Sequence, residues 1–345
     1  MKPIFLIVTL FIVMLNTCYR EYKYNIATIP ETPVNLEEIN SVYNDYNSSS
    51  PIKGGSSPLC FSSDRGSSGD NFDIEYSFLN IVFSRLTGKL YVGEDDQISF
   101  GESELAYKNI LKAFWVINST NNELGPYLIP QGSSYRKRGS SFEPHQKFIL
   151  LYATDETGNL DIRLTHNLTS DDYSTPVNIS FLNSEKDDAY PTLNHDTSAI
   201  YFCSNRETGF DIYKAEITKT TSLFSTLISQ TPITVTKMSG LSSDKDDKCP
   251  FVIGRLMVFA SDRTGGYGGF DLYYSTFAEG EWSAPVNFGE KINTQYDEYR
   301  PIVKPLWEFT NDFMLFSSNR PGGSGGYDLY YAGIKKITGF DSYIK

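Results

Sequence analysis

Few residues in this chain stand at spacings that carry chemistry. Gly322-Gly323-Ser324-Gly325-Gly326 fits the G-x-S-x-G pattern, in which a serine on a strand-to-helix elbow attacks an acyl carbon. That segment belongs to a loop that recurs along the chain, so the expectation is a hairpin turn and not an elbow. His145, His166 and His195 are 21 and 29 residues apart, without the i, i+4 pair that puts two imidazoles on one helix face. Cys60, Cys203 and Cys249 are similarly scattered and form no C-x-x-C site for zinc. The acidic runs Glu94-Asp95-Asp96 and Asp244-Lys245-Asp246-Asp247-Lys248 lack the ligand alternation and central glycine of a calcium loop. The residues therefore predict no catalytic group, no metal and no cofactor.

The charges that do recur belong to a repeat. Arg65, Arg206, Arg263 and Arg320 occupy one position of a five-fold pattern such as Ala260-Ser261-Asp262-Arg263-Thr264-Gly265, and Glu156 stands there in the second copy. Each is followed by a second block carrying Asp73, Asp161, Asp211, Asp271 or Asp328, separated by 88, 50, 60 and 57 residues. A guanidinium fork can hold a carboxylate and backbone carbonyls together, so each Arg is expected to bond the Asp of its own or a neighbouring copy in a structural role. Between the blocks lie glycines that tolerate a tight hairpin, as in Gly265-Gly266-Tyr267-Gly268-Gly269.

Elements positioning such a repeat must be strands. Spacings of 50 to 60 residues suit four-stranded propeller blades, and 24 Tyr with 23 Phe favour sheets. A third block, Pro-Val-Asn leading to Asn-Thr or Asn-Ser and an acidic pair, precedes each strand pair. It opens the chain at Pro33-Val34-Asn35 and is missing after Tyr331. The expectation is an all-β protein: a β-propeller of five four-stranded blades, closed by the N-terminal strand, which removes exposed sheet edges. The long 88-residue gap predicts a partly helical insertion at about 85–140, with a short helix within 102–116; a sixth blade is the alternative.

Lys and Arg number 30 against 42 Asp and Glu, a net charge of −12 that repels a phosphate backbone and excludes nucleic acid as a partner. Residues 4–15 are a short apolar run, too short to span a bilayer and suited to a signal peptide. Leu15-Asn16-Thr17-Cys18 resembles a bacterial lipoprotein signal, with Thr17 in place of the usual Gly, Ala or Ser. That resemblance implies lipidation at Cys18, a signal over 1–17, a tether over 18–31 and one propeller domain over 32–345; an ordinary secretory peptide is the alternative.

Ser318-Asn319-Arg320-Pro321-Gly322-Gly323, Gly325-Gly326-Tyr327-Asp328-Leu329-Tyr330 and Ile292-Asn293-Thr294-Gln295-Tyr296-Asp297-Glu298 resemble the WD40-like repeats related to the TolB propeller, abundant in envelope lipoproteins of the Bacteroidetes type. The resemblance covers most of 30–336. It implies an extracytoplasmic binding scaffold held to the outer membrane by lipid, and it carries over no catalytic residue. The expected function is thus a non-enzymatic lipoprotein presenting a propeller face to an envelope protein or glycan. Its irregular insertion offers Trp115 and the basic Arg136, Lys137 and Arg138 as partner contacts. Two alternatives stand beside it: a propeller-fold glycan-processing enzyme, which needs a pair of carboxylates near the axis, and an accessory subunit of an outer-membrane secretion, transport or motility complex.

Overall fold

Each copy of the repeat folds into one antiparallel sheet, because short runs of β-branched and aromatic residues alternate with turn-forming Gly, Asn and Asp. The computed structural model describes residues 22–51, 54–94, 108–138, 141–217, 222–229 and 232–337; the side chains of 108, 133–138 and 141–144 are outside this description. The first strand, β1 (Val34–Asn35), is followed by blade 1, formed from β2 (Asp45–Ser49), β3 (Ser56–Ser63), β4 (Asp73–Phe83) and β5 (Leu90–Gly93). Blade 2 contains β6 (Glu123–Arg138), β7 (Ser141–Thr154), β8 (Asp161–His166) and β9 (Val177–Asn178). Blade 3 contains β10 (Asp188–Leu193), β11 (Ala199–Ser204), β12 (Asp211–Glu216) and β13 (Val235–Lys237). In blade 4, β14 (Asp247–Ile253), β15 (Leu256–Ser261) and β16 (Asp271–Ala278) are joined by two short strands on β16, β17 (Glu281–Trp282) and β18 (Val286–Asn287). Blade 5 has β19 (Glu298–Lys304), β20 (Asp312–Ser318) and β21 (Asp328–Ile334).

The outermost strand of blade 5 is β1, with Val34 opposite Tyr331 and Asn35 opposite Tyr330. The chain therefore closes its ring by hydrogen-bonding its two ends, and the protein is an all-β, five-bladed propeller. Residues 27–30, in the stretch expected as a tether, pack on blade 5: Ile29 is fully buried and its N–H donates to Asn311 Oδ1 at 2.9 Å.

Among the described residues, two short α-helices lie between the strands. In α1 (Leu111–Ile117), Ala113, Phe114 and Ile117 are buried against Ile74, Phe148 and Tyr152 of blades 1 and 2. The other, α2 (Leu223–Ile228), starts at Ser222, whose side chain accepts from the Ser225 N–H. The long gap between the first two repeats is occupied by β5, α1 and the overlong β6–β7 hairpin, and the sixth blade is not formed among the described residues. The second strands, which lie between neighbours within each blade, hold the apolar core: Leu59, Leu150, Phe202, Val258 and Leu315 are fully buried.

Glycine is required where hairpin loops meet the next blade's linker backbone. A Cβ on Gly268 would collide with the carbonyls of Thr294 and Tyr296, and one on Gly325 with the Tyr43 carbonyl. The Gly-rich loops read from the sequence are thus sites of backbone-to-backbone blade contact.

Candidate functional site

The inner strands share one seven-residue register: 45–51, 123–129, 188–194, 247–253 and 298–304. Its first residue is always acidic: Asp45, Glu123, Asp188, Asp247 or Glu298, each at most 1% exposed. The repeated arginines bond here, and not to the aspartates of the second block. The Nη2 groups of Arg65, Arg206, Arg263 and Arg320 donate to these acids at 2.5, 2.6, 2.5 and 2.9 Å. The same nitrogens also reach the carbonyls of Ile39, Leu182, Leu241 and Ile292 in the linker that enters each blade. Each guanidinium stacks on a Phe of the second strand, for example 5.3 Å from the Phe259 ring centre.

The second-block aspartates serve their own hairpins. Asp271 accepts from the N–H groups of Tyr267 and Gly268 and from Asn287 Nδ2, and Asp328 accepts in the same way from Ser324, Gly325 and Asn35. Asp161 accepts from Thr157 Oγ1, and Asp211 pairs with Lys237 at 2.5 Å. Asp73 Oδ1 is buried without a hydrogen-bond partner, and burial pushes its carboxyl up. Ser324, the centre of the G-x-S-x-G motif, caps Asp328 from a hairpin turn.

A second set of blade-to-blade bonds comes from residues of which no such role was expected. Asn44, Asn122, Asp187, Asp246 and Asp297 immediately precede the acid position. Each accepts, through Oδ1, the N–H of the residue leading into the third strand of the preceding blade: Tyr327, Phe72, Leu160, Phe210 and Phe270, at 2.9–3.0 Å. Their other partners are Asp64, Asp155, Asn205, Asp262 and Asn319. In four blades one member is Asn and the other Asp, so an amide always meets a carboxylate. In blade 4 both are Asp, and Lys248 sits 3.0 Å from Asp246.

Blade 2 departs from this scheme. Glu156, in the arginine position, pairs with Arg163, which stands where blades 3 to 5 have Tyr213, Tyr273 and Tyr330. Glu123 is consequently the one strand-start acid without an arginine; it accepts from Ser119 N–H, Ser119 Oγ and Thr154 Oγ1. Burial without a cation raises its carboxyl to about 7.

At the third register position every inner strand has a bulge and a left-handed residue: Asn47, Gly125, Tyr190, Cys249 and Arg300, with φ between 47° and 58°. Four of the five next residues are Pro126, Pro191, Pro250 and Pro301, which fit a position whose N–H has no ladder partner. Contacts between non-adjacent blades put these side chains at the axis. Arg300 of blade 5 lies 5.3 Å from the Tyr190 ring centre of blade 3, and Asn47 of blade 1 donates to the Tyr190 hydroxyl at 3.4 Å. Position 125 must be Gly, since a Cβ there would enter the Tyr190 ring. The waist of the ring is therefore plugged.

Beyond the plug, the C-terminal ends of the inner strands open into a cavity of about 470 Å³. Its wall is largely apolar, with Tyr127, Ile129, Phe251 and Ile253, and carries polar Ser50, Asn194 and His195. Behind Ser50 lies Lys304, 1% exposed, whose Nζ is 2.7 Å from Ser57 Oγ, 3.1 Å from Ser50 Oγ and 2.6 Å from the Pro51 carbonyl. Ser50 and Ser57 hydroxyls are 2.9 Å apart. Burial lowers the ammonium to about 7. A larger groove, about 670 Å³, lies off-axis at the flank of blades 4 and 5 between Lys291 and Lys335. The axial cavity is the better candidate, because four blades converge on it.

Of the remaining sequence candidates, Trp115 projects from α1 with 82% exposure and does not line this mouth. Arg136, Lys137 and Arg138 end β6, paired with 141–143 of β7; their side chains and Cys18 are outside the described residues. Nothing in the sequence marked Ser50, Ser57 or Lys304; only alignment of the five inner strands, with Lys304 against Ile129 and Ile253, would have shown a cation where apolar residues stand.

The chain matches no protein-family model and no curated protein. Among solved structures, a thermostable family-43 glycoside hydrolase shares 12% identity, covering 86% of this chain and 91% of its own, with a TM-score of 0.48. An α-L-arabinofuranosidase from Podospora anserina, in complex with cellotriose, shares 10% over 89% and 96%, with a TM-score of 0.45. A TolB protein from Agrobacterium tumefaciens shares 12% over 90% and 93%, with a TM-score of 0.41. These matches are mostly glycoside hydrolases, where a non-enzymatic scaffold was expected; the five-bladed ring by itself is thus no ground for that expectation. A site assembled from several strands leaves no linear motif, so the lack of one in the sequence does not decide the question of catalysis. At such identities the likeness is one of fold, and it transfers no residue.

Proposed function

We propose that the protein is a glycan-processing enzyme that takes its substrate in the axial cavity. The observation that carries the reading is the cavity's chemistry: aromatic Tyr127 and Phe251 beside polar Ser50, Asn194 and His195, in a volume of about 470 Å³. A sugar has apolar ring faces and a polar rim, and a mouth of this size and mixed lining suits one or two such rings. The described lining contains no Asp or Glu, so the paired-carboxylate route to glycosidic cleavage has no support at this mouth. The test is incubation of the purified chain with a panel of native, O-acylated polysaccharides, with products read by mass spectrometry. Turnover lost in His195→Ala, an exposed residue of the same wall, with an unchanged unfolding midpoint, supports the reading; no turnover and no oligosaccharide binding by calorimetry overturns it.

A further inference from the structure

One polar cluster is explained by neither the repeat nor the blade contacts. Ser50 and Lys304 are polar where blades 2 and 4 carry Leu128 and Val252, and Ile129 and Ile253, at the equivalent positions; Ser57, on the second strand of blade 1, bonds to both. Burying an amine costs several kcal/mol unless something uses or satisfies it. Lys304 lies on blade 5 and both serines lie on blade 1, so the cluster bridges the seam where the ring closes. One of its members, Ser50, faces the axial cavity.

We propose that Ser50, Ser57 and Lys304 form an acyl-transfer centre on the cavity wall, with Ser50 as nucleophile and an O-acyl ester of a sugar as substrate. The sugar part rests on the function proposed above; the acyl chemistry does not. Serine is a weak nucleophile until a neighbouring base takes its proton, and a neutral lysine amine is one such base. The distances allow the proton to pass directly from Ser50 Oγ to Lys304 Nζ, 3.1 Å away, or through Ser57 Oγ along contacts of 2.9 and 2.7 Å. Pro51 O, at 2.6 Å, holds the amine in place and leaves its lone pair for a hydroxyl proton.

The step balances without a cofactor. Ser50 Oγ bonds to the acyl carbon as its proton moves to Lys304, and the ester C–O bond breaks. The sugar alkoxide takes that proton and leaves as an alcohol. Water then attacks the acyl-serine, gives a proton to Lys304, and releases the carboxylic acid with Ser50 restored. Burial that brings the lysine to about 7 keeps a large fraction of it neutral at physiological pH.

The experiment uses the full chain with p-nitrophenyl acetate and a fluorophosphonate probe, followed by peptide mapping. The expected results are probe attachment at Ser50, a fall in kcat/KM of about 100-fold or more in Ser50→Ala, and a similar fall in Lys304→Met. Activity should rise along a single titration through pH 7 and level above it; Ser57→Ala should shift that profile and retain part of the rate. A folded protein with no probe at Ser50, or a Ser50→Ala variant as active as the parent, overturns the proposal. Ser50 labelling combined with no turnover of O-acylated glycans overturns the sugar reading and leaves the acyl chemistry standing, while glycan turnover that survives Ser50→Ala does the reverse.

Discussion

The five inner strands begin alike and end differently. At their first residue all carry an acid, four of them clasped by an arginine at 2.5 to 2.9 Å that also grips the incoming linker. Six residues on, the same strands carry Pro51, Ile129, Asn194, Ile253 and Lys304. A feature that must hold five sheets together is needed five times; a site that binds one ligand is needed once. The uniform end is therefore read as structure and the varied end as function, and perturbing each should produce a different kind of response.

The largest effect is expected at the uniform end. Arg263→Ala leaves the fully buried Asp247 carboxylate facing only Ser243 and its neighbours and frees the Leu241 carbonyl. Breaking such a pair costs about 3–5 kcal/mol, to be read from urea unfolding at pH 7. Arg263→Met with Asp247→Leu together should cost less than Arg263→Ala alone, because no charge is then stranded. If catalysis fell while stability did not, the division between the two ends would be wrong.

This end was partly legible. Five copies of the Asp block, four of them preceded by Arg, gave the blades, and the Pro-Val-Asn block at the N-terminus gave the closure, since each is a local pattern. The partner of the arginine was not legible, because Asp247 lies 16 residues before Arg263 whereas Asp271 lies 8 after it, and only the bulged inner strand shows which faces the guanidinium. The strand-start acid of blade 2 was hidden further: Asn122-Glu123 follows α1 and not a Pro-Val-Asn block. The varied end could not be read at all. Ser50 and Lys304 are 254 residues apart and meet only because the ring closes.

At the varied end, the response should be to pH. The Lys304 ammonium has a folded value of about 7 against an ordinary 10.5. Between these values the unfolded chain binds the proton that the folded one has released, so stability rises with pH; below 7 both states are protonated and the full penalty of burial applies. From pH 6 to 9 this amounts to about 2–3 kcal/mol gained by the parent. Lys304→Met should lose that gain and be the more stable protein at pH 6. Parallel stability curves for the two proteins would mean that the amine is solvated and cannot serve Ser50 as a base.

Blade 2 sharpens the comparison from within the uniform end, with the smallest effect. Glu123 keeps the acid but lacks the arginine, and its carboxyl is raised to about 7 from an ordinary 4.5. For an acid raised on folding, the stabilising contribution is complete below 4.5 and is lost as pH climbs through 7, the opposite sense to Lys304. Glu123→Gln removes the charge and keeps hydrogen bonds to Ser119 and Thr154 available. It should leave stability at pH 5 unchanged and raise it at pH 8 by about 1 kcal/mol once solvent screening is allowed for. Burial raises the Glu298 carboxyl as well, against the pull of Arg320 Nη2 2.9 Å away, but there the same substitution strands the guanidinium and should instead destabilise at pH 8. Opposite signs at two equivalent positions would establish that the arginine, and not burial of the acid, is what makes the strand start adhesive. Equal signs would move that role to the neighbouring Asn–Asp pairs, which blade 2 shares with blades 1, 3 and 5.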